Sequence, residues 1–415
     1  MAAALGVLVS CGSVKSGEEV VAASRDSKVV VAYVTSWSEV MPDPQYMTHI
    51  NYAFGHVNES FNGVKIDNEE RLRQIVDLRK QKPELKVLLS IGGWGSGRFS
   101  EMAANDEYRR AFAADCDRVV KEFALDGIDI DWEYPTSSMA NISSSPDDTE
   151  NFTLLMQDIR AAIGNEKELT LATVASARYI DFKAILPSVD FVNIMAYDMA
   201  SAPKHHSALY PSGHSGDITS DGAVTAHLKA GVPPSKLVMG MPFYGRGGDG
   251  YPSFQDYNKV GNTDTQYTEK WDEVAQVPYL ADKNDTLVFG FENPRSLAIK
   301  CQYILDKDLL GGMYWDYSGD NEQGDLRRTV AENLLGKPHK AKVLVLTERG
   351  GQHGGFTDAG LRWLAAEGVK GNFSITEINN ARNITEAYLS QFSLVIQLDF
   401  PPYTWPKEAE DAFVK

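Results

Sequence analysis

Eight short β-like runs alternate with longer stretches of helical apolar spacing between Lys28 and about Gly336. The runs are Val29–Val34, Ile50–His56, Lys86–Ile91, Gly127–Glu133, Leu169–Val174, Phe191–Tyr197, Lys236–Pro242 and Gly312–Trp315. Helical spacing marks Glu70–Lys80, Asp106–Phe123, Asp147–Ile163 and Leu297–Lys307. Strict β/α alternation predicts an α/β fold with a parallel sheet, and eight repeats predict a closed (β/α)8 TIM barrel. An open doubly wound sheet needs fewer strands and usually a glycine-rich phosphate loop. No such loop stands in the right context here.

The fourth run carries the densest chemistry. Asp126 to Pro135 reads D-G-I-D-I-D-W-E-Y-P. Successive side chains of a strand point to opposite faces, so Asp129, Asp131 and Glu133 share one face and Ile128, Ile130 and Trp132 the other. Neighbouring carboxylates on that face stand about 6–7 Å apart at their Cα atoms. Three of them cannot all ionise comfortably, so at least one is expected to keep its proton well above the usual carboxyl range. A carboxylic acid still protonated near neutral pH is what a general acid requires. A solvated acidic strand face is the plainer alternative, but aspartate is depleted in strands. Three carboxylates also suit a hard cation, yet no cluster of histidines or other oxygen ligands presents itself as their partner. Asp126 is out of phase with the inward set and reads as structural.

In a barrel the functional groups sit at the C-terminal strand ends. Tyr33 and Trp37 follow the first run and Phe54 the second. Ser90, Gly93 and Trp94 close the third, and Glu133 and Tyr134 the fourth. Met195, Tyr197 and Asp198 end the sixth, Met241, Tyr244 and Arg246 follow the seventh, and Trp315 ends the eighth. Aromatic faces beside carboxylates suit carbohydrate, because sugar C–H faces stack on rings while hydroxyls seek polar partners. The segment from Gly247 to Phe289 is too long for an ordinary barrel loop. With Tyr251, Phe254, Tyr257, Tyr267 and Trp271 it is expected to wall one side of a cleft.

Net charge is −17, which disfavours nucleic acid and anionic membrane surfaces and fits a neutral substrate. Three cysteines make no disulfide framework. Cys116 falls on the apolar face of a helix with Tyr108, Phe112, Val119 and Phe123, and Cys301 lies in a second helical pattern, so both read as buried thiols. Cys11 ends the apolar, small-residue stretch Met1–Ser10 and resembles the lipidated cysteine of a bacterial lipoprotein, although no Lys or Arg precedes the run. Residues 1–27 are therefore expected to be a signal and tether, with a lipid anchor at Cys11, on an exported bacterial protein held at the membrane or cell surface. The barrel is expected over residues 28–337. A second unit opens at Lys342-Val343-Leu344-Val345-Leu346, and its βαβαβ pattern over residues 341–415 reads as a truncated flavodoxin-like α/β domain.

Asp126, Asp129, Asp131 and Glu133 match the DxxDxDxE motif, and with it the chain resembles family 18 of the glycoside hydrolases. Ser90-Ile91-Gly92-Gly93 is similar to the family's SxGG, and Met195-Ala196-Tyr197-Asp198 to its MxYD. Pro242-Phe243-Tyr244-Gly245-Arg246 and Gly312-Met313-Tyr314-Trp315 resemble its seventh- and eighth-strand motifs. The resemblance covers Lys28 to Gly336. It implies a chitinase, or an endo-β-N-acetylglucosaminidase acting on N-glycans, working on N-acetylglucosamine-containing polysaccharide or glycan as a monomer without metal or organic cofactor. Some members are inactive lectins, which typically lack the acid that Glu133 supplies here. By the same resemblance the mechanism is retaining and substrate-assisted. Glu133 protonates the glycosidic oxygen, and the substrate's own acetamido oxygen attacks C1. Asp131 holds the acetamido N–H, Asp129 shares a proton with Asp131 near Ser90, Tyr197 bonds the acetamido oxygen, Asp198 supports that region, and Trp315 forms the floor. Tyr33, Phe54, Gly93, Trp94, Tyr134, Met195, Tyr244 and Arg246 are the remaining expected substrate contacts. Residues 341–415 more weakly resemble the first half of a trehalose-utilisation-type domain.

Overall fold

The computed structural model describes residues 28–414, apart from 249, 261–265, 337–340, 348–353, 372, 391 and 399–404. The expected signal, tether and Cys11 anchor lie outside the described residues, as do the Lys337-Pro338 junction and His353. In chain order the strands are β1 (Val29–Thr35), β2 (His49–Val57), β3 (Val64–Ile66), β4 (Lys86–Gly92), β5 (Gly127–Asp131), β6 (Glu168–Val174), β7 (Phe191–Met195), β8 (Leu237–Pro242), β9 (Tyr244–Gly247), β10 (Gln255–Asp256), β11 (Thr268–Asp272), β12 (Val277–Ala281), β13 (Leu287–Gly290), β14 (Gly311–Trp315), β15 (Ala341–Thr347), β16 (Phe373–Ile378) and β17 (Leu394–Leu398).

Strands β1, β14, β8, β7, β6, β5, β4 and β2 pair in that order, all parallel, and β1 pairs with β2 to close the ring. This is the expected eight-stranded barrel. The eight β-like runs of the sequence are its eight staves, with ends shifted by a residue or two. Strand β3 adds antiparallel to β2 as a short hairpin.

Alternation divides the core into two. Outward residues such as Val30, Ala32, Ile128, Ile130 and Trp132 pack with the helices in one large cluster. Inward residues form a second, around Val31, Tyr33, Phe54, Tyr197, Tyr244 and Met313. The helices lie where their apolar stripes require. In helix Asp106–Glu122, Phe112, Cys116 and Val119 face the barrel, and the Asn105 carboxamide caps the free N–H groups of Glu107 and Tyr108. Cys116 and Cys301 are both buried free thiols. Asp126 accepts from the Val87 amide at 2.7 Å and from the Arg79 guanidinium, so it ties β5 to β4 below the site.

The long segment after β8 is not a loop. Strands β9 to β13 build a five-stranded antiparallel sheet in the order β10-β9-β13-β12-β11. Tyr251, Tyr257 and Tyr267 pack around its own small core of Leu280, Phe289 and Phe291. Trp271 lies under the Arg295 guanidinium at 3.8 Å. Only Phe254 of the five expected aromatics lines the cleft.

Behind this sheet is a fully buried ion pair between Lys300, on helix Pro294–Asp306, and Glu292. Lys300 Nζ also donates to the Ser207 carbonyl at 2.5 Å, and the Ser207 hydroxyl donates to Glu292 at 2.6 Å. The pair fixes the segment after β7, whose Met199 and Ile218 line the cleft. Beyond the barrel, β15 stands between β16 and β17 in a parallel three-stranded sheet with helix Gly354–Gly371.

Candidate active site

The C-terminal mouth of the barrel opens into a cleft of about 740 Å³. Tyr33, Phe54, Trp94, Asp131, Glu133, Tyr134, Met195, Tyr197, Asp198, Tyr244, Arg246 and Trp315 all line it, as the strand-end argument expects. Strand β5 stops at Asp131, two residues before the expected end, so Glu133 stands just beyond the last ladder pair. The parity holds nonetheless: Trp132 packs outward on Phe99 and Phe152, while Asp129, Asp131 and Glu133 turn inward.

Asp129 lies beneath the cleft rather than in its wall. Its carboxylate accepts from Tyr33 at 2.8 Å, Ser90 at 2.7 Å, Thr170 at 2.6 Å and Asn193 at 3.3 Å. These donors come from β1, β4, β6 and β7. Burial raises the Asp129 pKa, and the donors pull it back by favouring the ionised form. No hydrogen bond joins Asp129 to Asp131 among the described residues, so the expected shared proton is not seen here. Asp131 Oδ1 is instead buried without a partner. Burial, then the charges of Glu133 and Asp129, push the Asp131 pKa well above the usual range.

Glu133 is 9% exposed at the cleft surface. Burial raises its pKa to about 7. This carboxyl is therefore largely protonated up to neutrality, as proton donation requires. Opposite, the Tyr197 hydroxyl has only a weak contact, to Met313 Sδ at 3.8 Å, and burial beside Asp131 and Glu133 keeps it protonated. Gly240 makes room for the Tyr197 ring, since a Cβ there would meet its Cε1 at 2.8 Å and the Ile194 carbonyl at 2.3 Å.

Asp198 is held rather than free. Arg246 grips it through Nε at 2.7 Å and Nη2 at 2.6 Å, and His206 Nδ1 is 3.4 Å from Oδ1. Burial works against ionisation, but these cationic and hydrogen-bonding partners outweigh it and hold the Asp198 pKa well below the usual range. Trp315 forms a ring floor, stacked on Phe54 at 5.5 Å and close to Tyr33 at 5.6 Å and Trp37 at 6.5 Å.

One expected contact is corrected. Gly93 does not line the cleft. Its φ is +93°, and a Cβ would meet the Phe54 ring at 2.7 Å. Gly93 is required so that Phe54 can lie flat beneath Trp315, which is a packing role. Trp37, which the sequence places at a strand end, also lines the cleft, and other lining residues lie outside the expected set, among them Met139, Arg178, Tyr179 and Ile218. Tyr179 stacks on Tyr134 at 5.6 Å and 16°. Met139, Arg178, Tyr179 and Ile218 sit on loops, where no periodicity points to them.

A buried acid poised near neutrality, a second carboxyl two residues before it on one barrel strand, and an aromatic cleft around both define a glycoside hydrolase of the barrel class. The sequence profile of the Glycosyl hydrolases family 18 matches residues 29–320, and the chain belongs to that family. It is 30% identical to Chitinase A1 of Niallia circulans over 73% of this chain and 58% of that protein. It is 31% identical to Chitotriosidase-1 of Mus musculus over 71% of this chain and 74% of the relative. Among solved structures, a family 18 N-acetylglucosaminidase from Paenibacillus barengoltzii matches with a TM-score of 0.68 and 32% identity, over 74% of this chain and 99% of that one. The chitinase ChiA74 from Bacillus thuringiensis matches with a TM-score of 0.69 and 26% identity, over 75% of this chain and 70% of that one.

Proposed function

We propose that the chain hydrolyses β-1,4-linked N-acetylglucosamine polymers, chitin or chito-oligosaccharides, with retention and with the substrate's acetamido group as nucleophile. The observation that carries the reading is the carboxyl inventory of the cleft. Glu133, with a pKa of about 7, is the acid. Asp131 shares its strand and its face, so it is badly placed to attack C1 from beneath the ring. Asp198 is already gripped by Arg246. No further Asp or Glu lines the cleft among the described residues, so the nucleophile comes from the substrate.

In this mechanism Glu133 donates its proton to the glycosidic oxygen as the bond to C1 lengthens. The acetamido oxygen closes on C1, and the unpartnered Asp131 Oδ1 takes the acetamido N–H, stabilising the positive charge that develops there. The Tyr197 hydroxyl donates to the acetamido oxygen and fixes a near-attack geometry. Trp315 supports the sugar ring from below. Asp129, loaded with four donors, lies beneath, and its charge helps raise the Asp131 pKa. Water then opens the oxazolinium ring, with Glu133 acting as base.

Product sequencing on partly acetylated chitosan tests the reading. Every new reducing end is expected to carry an N-acetyl group. New glucosamine reducing ends formed at a comparable rate overturn the mechanism. A parallel comparison of chitin oligomers with N-glycoproteins separates a chitinase from an endo-β-N-acetylglucosaminidase.

Two further readings rest on the sequence. The apolar stretch ending at Cys11 and the polar tether after it support an exported, lipid-anchored protein, testable by metabolic labelling with a palmitate analogue in wild type and Cys11→Ser. The parallel sheet of β15, β16 and β17 supports kinship of residues 341–415 with the trehalose-utilisation-type domain.

A further inference from the structure

Beside the sugar cleft, three side chains unused by the glycosidase reading form a relay. His56 Nδ1 is 2.8 Å from Ser96 Oγ, and His56 Nε2 is 3.0 Å from Asp67 Oδ2. His56 is near the end of β2, Asp67 directly follows β3, and Ser96 lies in the loop after β4. All three therefore stand at the functional end of the barrel, brought together by the β2–β3 hairpin and the parallel β2–β4 pair. We propose that Ser96, His56 and Asp67 form a second hydrolytic centre, a serine acyl-transfer site for short carboxylic esters at the rim of the cleft.

The geometry meets the requirements for an activated serine: a base within hydrogen-bond reach and a third group that orients the base. Asp67 fixes the tautomer. Its carboxylate takes the Nε2–H, which leaves Nδ1 as an acceptor for the Ser96 hydroxyl proton. The imidazole is used the opposite way round from the chymotrypsin arrangement, where the aspartate holds Nδ1. Such a triad is recognised by geometry and roles rather than by sequence position. The relay is also reachable. The His56 and Asp67 side chains are 30% and 39% exposed, and Ser96 is half-buried. The Ser96 amide is occupied by the Gly93 carbonyl at 2.9 Å. The amides of Gly95 and Gly97, on either side, take no acceptor among the described residues, and the proposal assigns them as the oxyanion donors.

Its position selects the substrate class. The Phe54 ring, part of the cleft wall, lies 6.3 Å from His56, and Trp94 of the same wall is two residues before Ser96. Ser96, His56 and Asp67 do not themselves line the cleft, so the ester of this proposal is an O-acyl group that projects from a bound saccharide past Phe54 and Trp94 to the rim. Ser96 Oγ attacks the ester carbonyl carbon while its proton passes to His56 Nδ1. The C–O bond to the sugar breaks, and the leaving alkoxide takes that proton. Water then attacks the acyl-serine with His56 as base, which releases the carboxylic acid and restores the serine.

The test uses 4-methylumbelliferyl acetate and a fluorophosphonate serine reagent on the full chain. Wild type is expected to hydrolyse the ester and to carry the phosphonyl adduct on Ser96 by peptide mass spectrometry. Ser96→Ala and His56→Gln are expected to lose about 10²-fold or more in ester hydrolysis while still cleaving chito-oligosaccharides, which doubles as the folding control. Glu133→Gln is expected to do the reverse, keeping the esterase and losing the glycosidase. Absence of the Ser96 adduct, or ester hydrolysis by Ser96→Ala within about threefold of wild type, overturns the proposal.

Discussion

Arg246 and Asp198 meet through two parallel hydrogen bonds, 2.7 Å from Nε and 2.6 Å from Nη2, at the edge of the cleft. Asp198 itself has φ +54°, a left-handed conformation that a non-glycine residue adopts at a cost. The fork of Arg246 on one side and His206 on the other hold it there. Arg246 also lies 5.3 Å from the rings of Tyr244 and Phe254, so one guanidinium organises a whole wall.

Arg246→Lys keeps the charge but loses the fork, and a lysine cannot make both bonds in plane. The expected result is a severalfold higher KM for chito-oligosaccharides with a nearly unchanged melting temperature, because the pair is partly exposed. Steady-state kinetics beside a thermal melt give both values. An unchanged KM would show that this wall does not touch the sugar.

Glu133→Gln keeps the shape and removes the transferable proton. Turnover should fall by about 10²–10⁴-fold with binding of a chito-oligosaccharide retained. In wild type, turnover should hold below neutrality and decline as pH rises through about 7, where Glu133 loses its proton. The same shift acts on stability. A carboxyl whose folded pKa is raised favours folding at low pH and loses that contribution as pH climbs from its unfolded value through the folded one. Glu133→Gln carries no such charge, so its melting temperature should exceed that of wild type at pH 8, and the gap should close near pH 5. Calorimetry at the two pH values decides it; a gap independent of pH would contradict the assignment.

Gly93→Ala places a methyl group 2.7 Å from the Phe54 ring at a φ of +93°. Phe54 must move, and with it the surface beneath Trp315. The expected cost is about 1–3 kcal/mol of stability, with a lower kcat/KM. Urea unfolding and kinetics measured together would show the coupling; a wild-type kcat/KM in a destabilised variant would separate Phe54 from the site.

Lys300→Met leaves Glu292 buried and unpaired, which should cost about 3–5 kcal/mol. Lys300→Met combined with Glu292→Gln should recover much of that loss, since no lone charge remains. Denaturant midpoints for the two variants test the pair. Equal losses in both would mean that Lys300 acts through its bond to the Ser207 carbonyl alone.

The barrel was legible because its two periods are clean. Runs such as Val29–Val34 and Gly127–Glu133 are short and bounded, and the helices between them keep a 3.6-residue stripe. Strand parity placed Asp129, Asp131 and Glu133 on one side without any knowledge of packing. The five-stranded insertion was not legible: its strands are short, several are half-exposed, and β11 reads Thr268-Glu269-Lys270-Trp271-Asp272, with little apolar alternation. Thr170 and Asn193, which complete the Asp129 cage, sit in mid-strand with no motif around them. Their role follows from barrel closure, which brings β6 and β7 to face β1 and β4. Loop residues such as Met139 and Tyr179 enter the cleft through tertiary geometry alone.

Because four different staves donate to the one carboxylate of Asp129, the catalytic apparatus works as a gauge of assembly. A barrel lacking closure between β1 and its neighbours cannot complete the cage, however well its individual β/α units have formed. Partly folded or locally opened forms should therefore be silent, and the regain of activity during refolding should coincide with the last and most cooperative step rather than with the appearance of secondary structure.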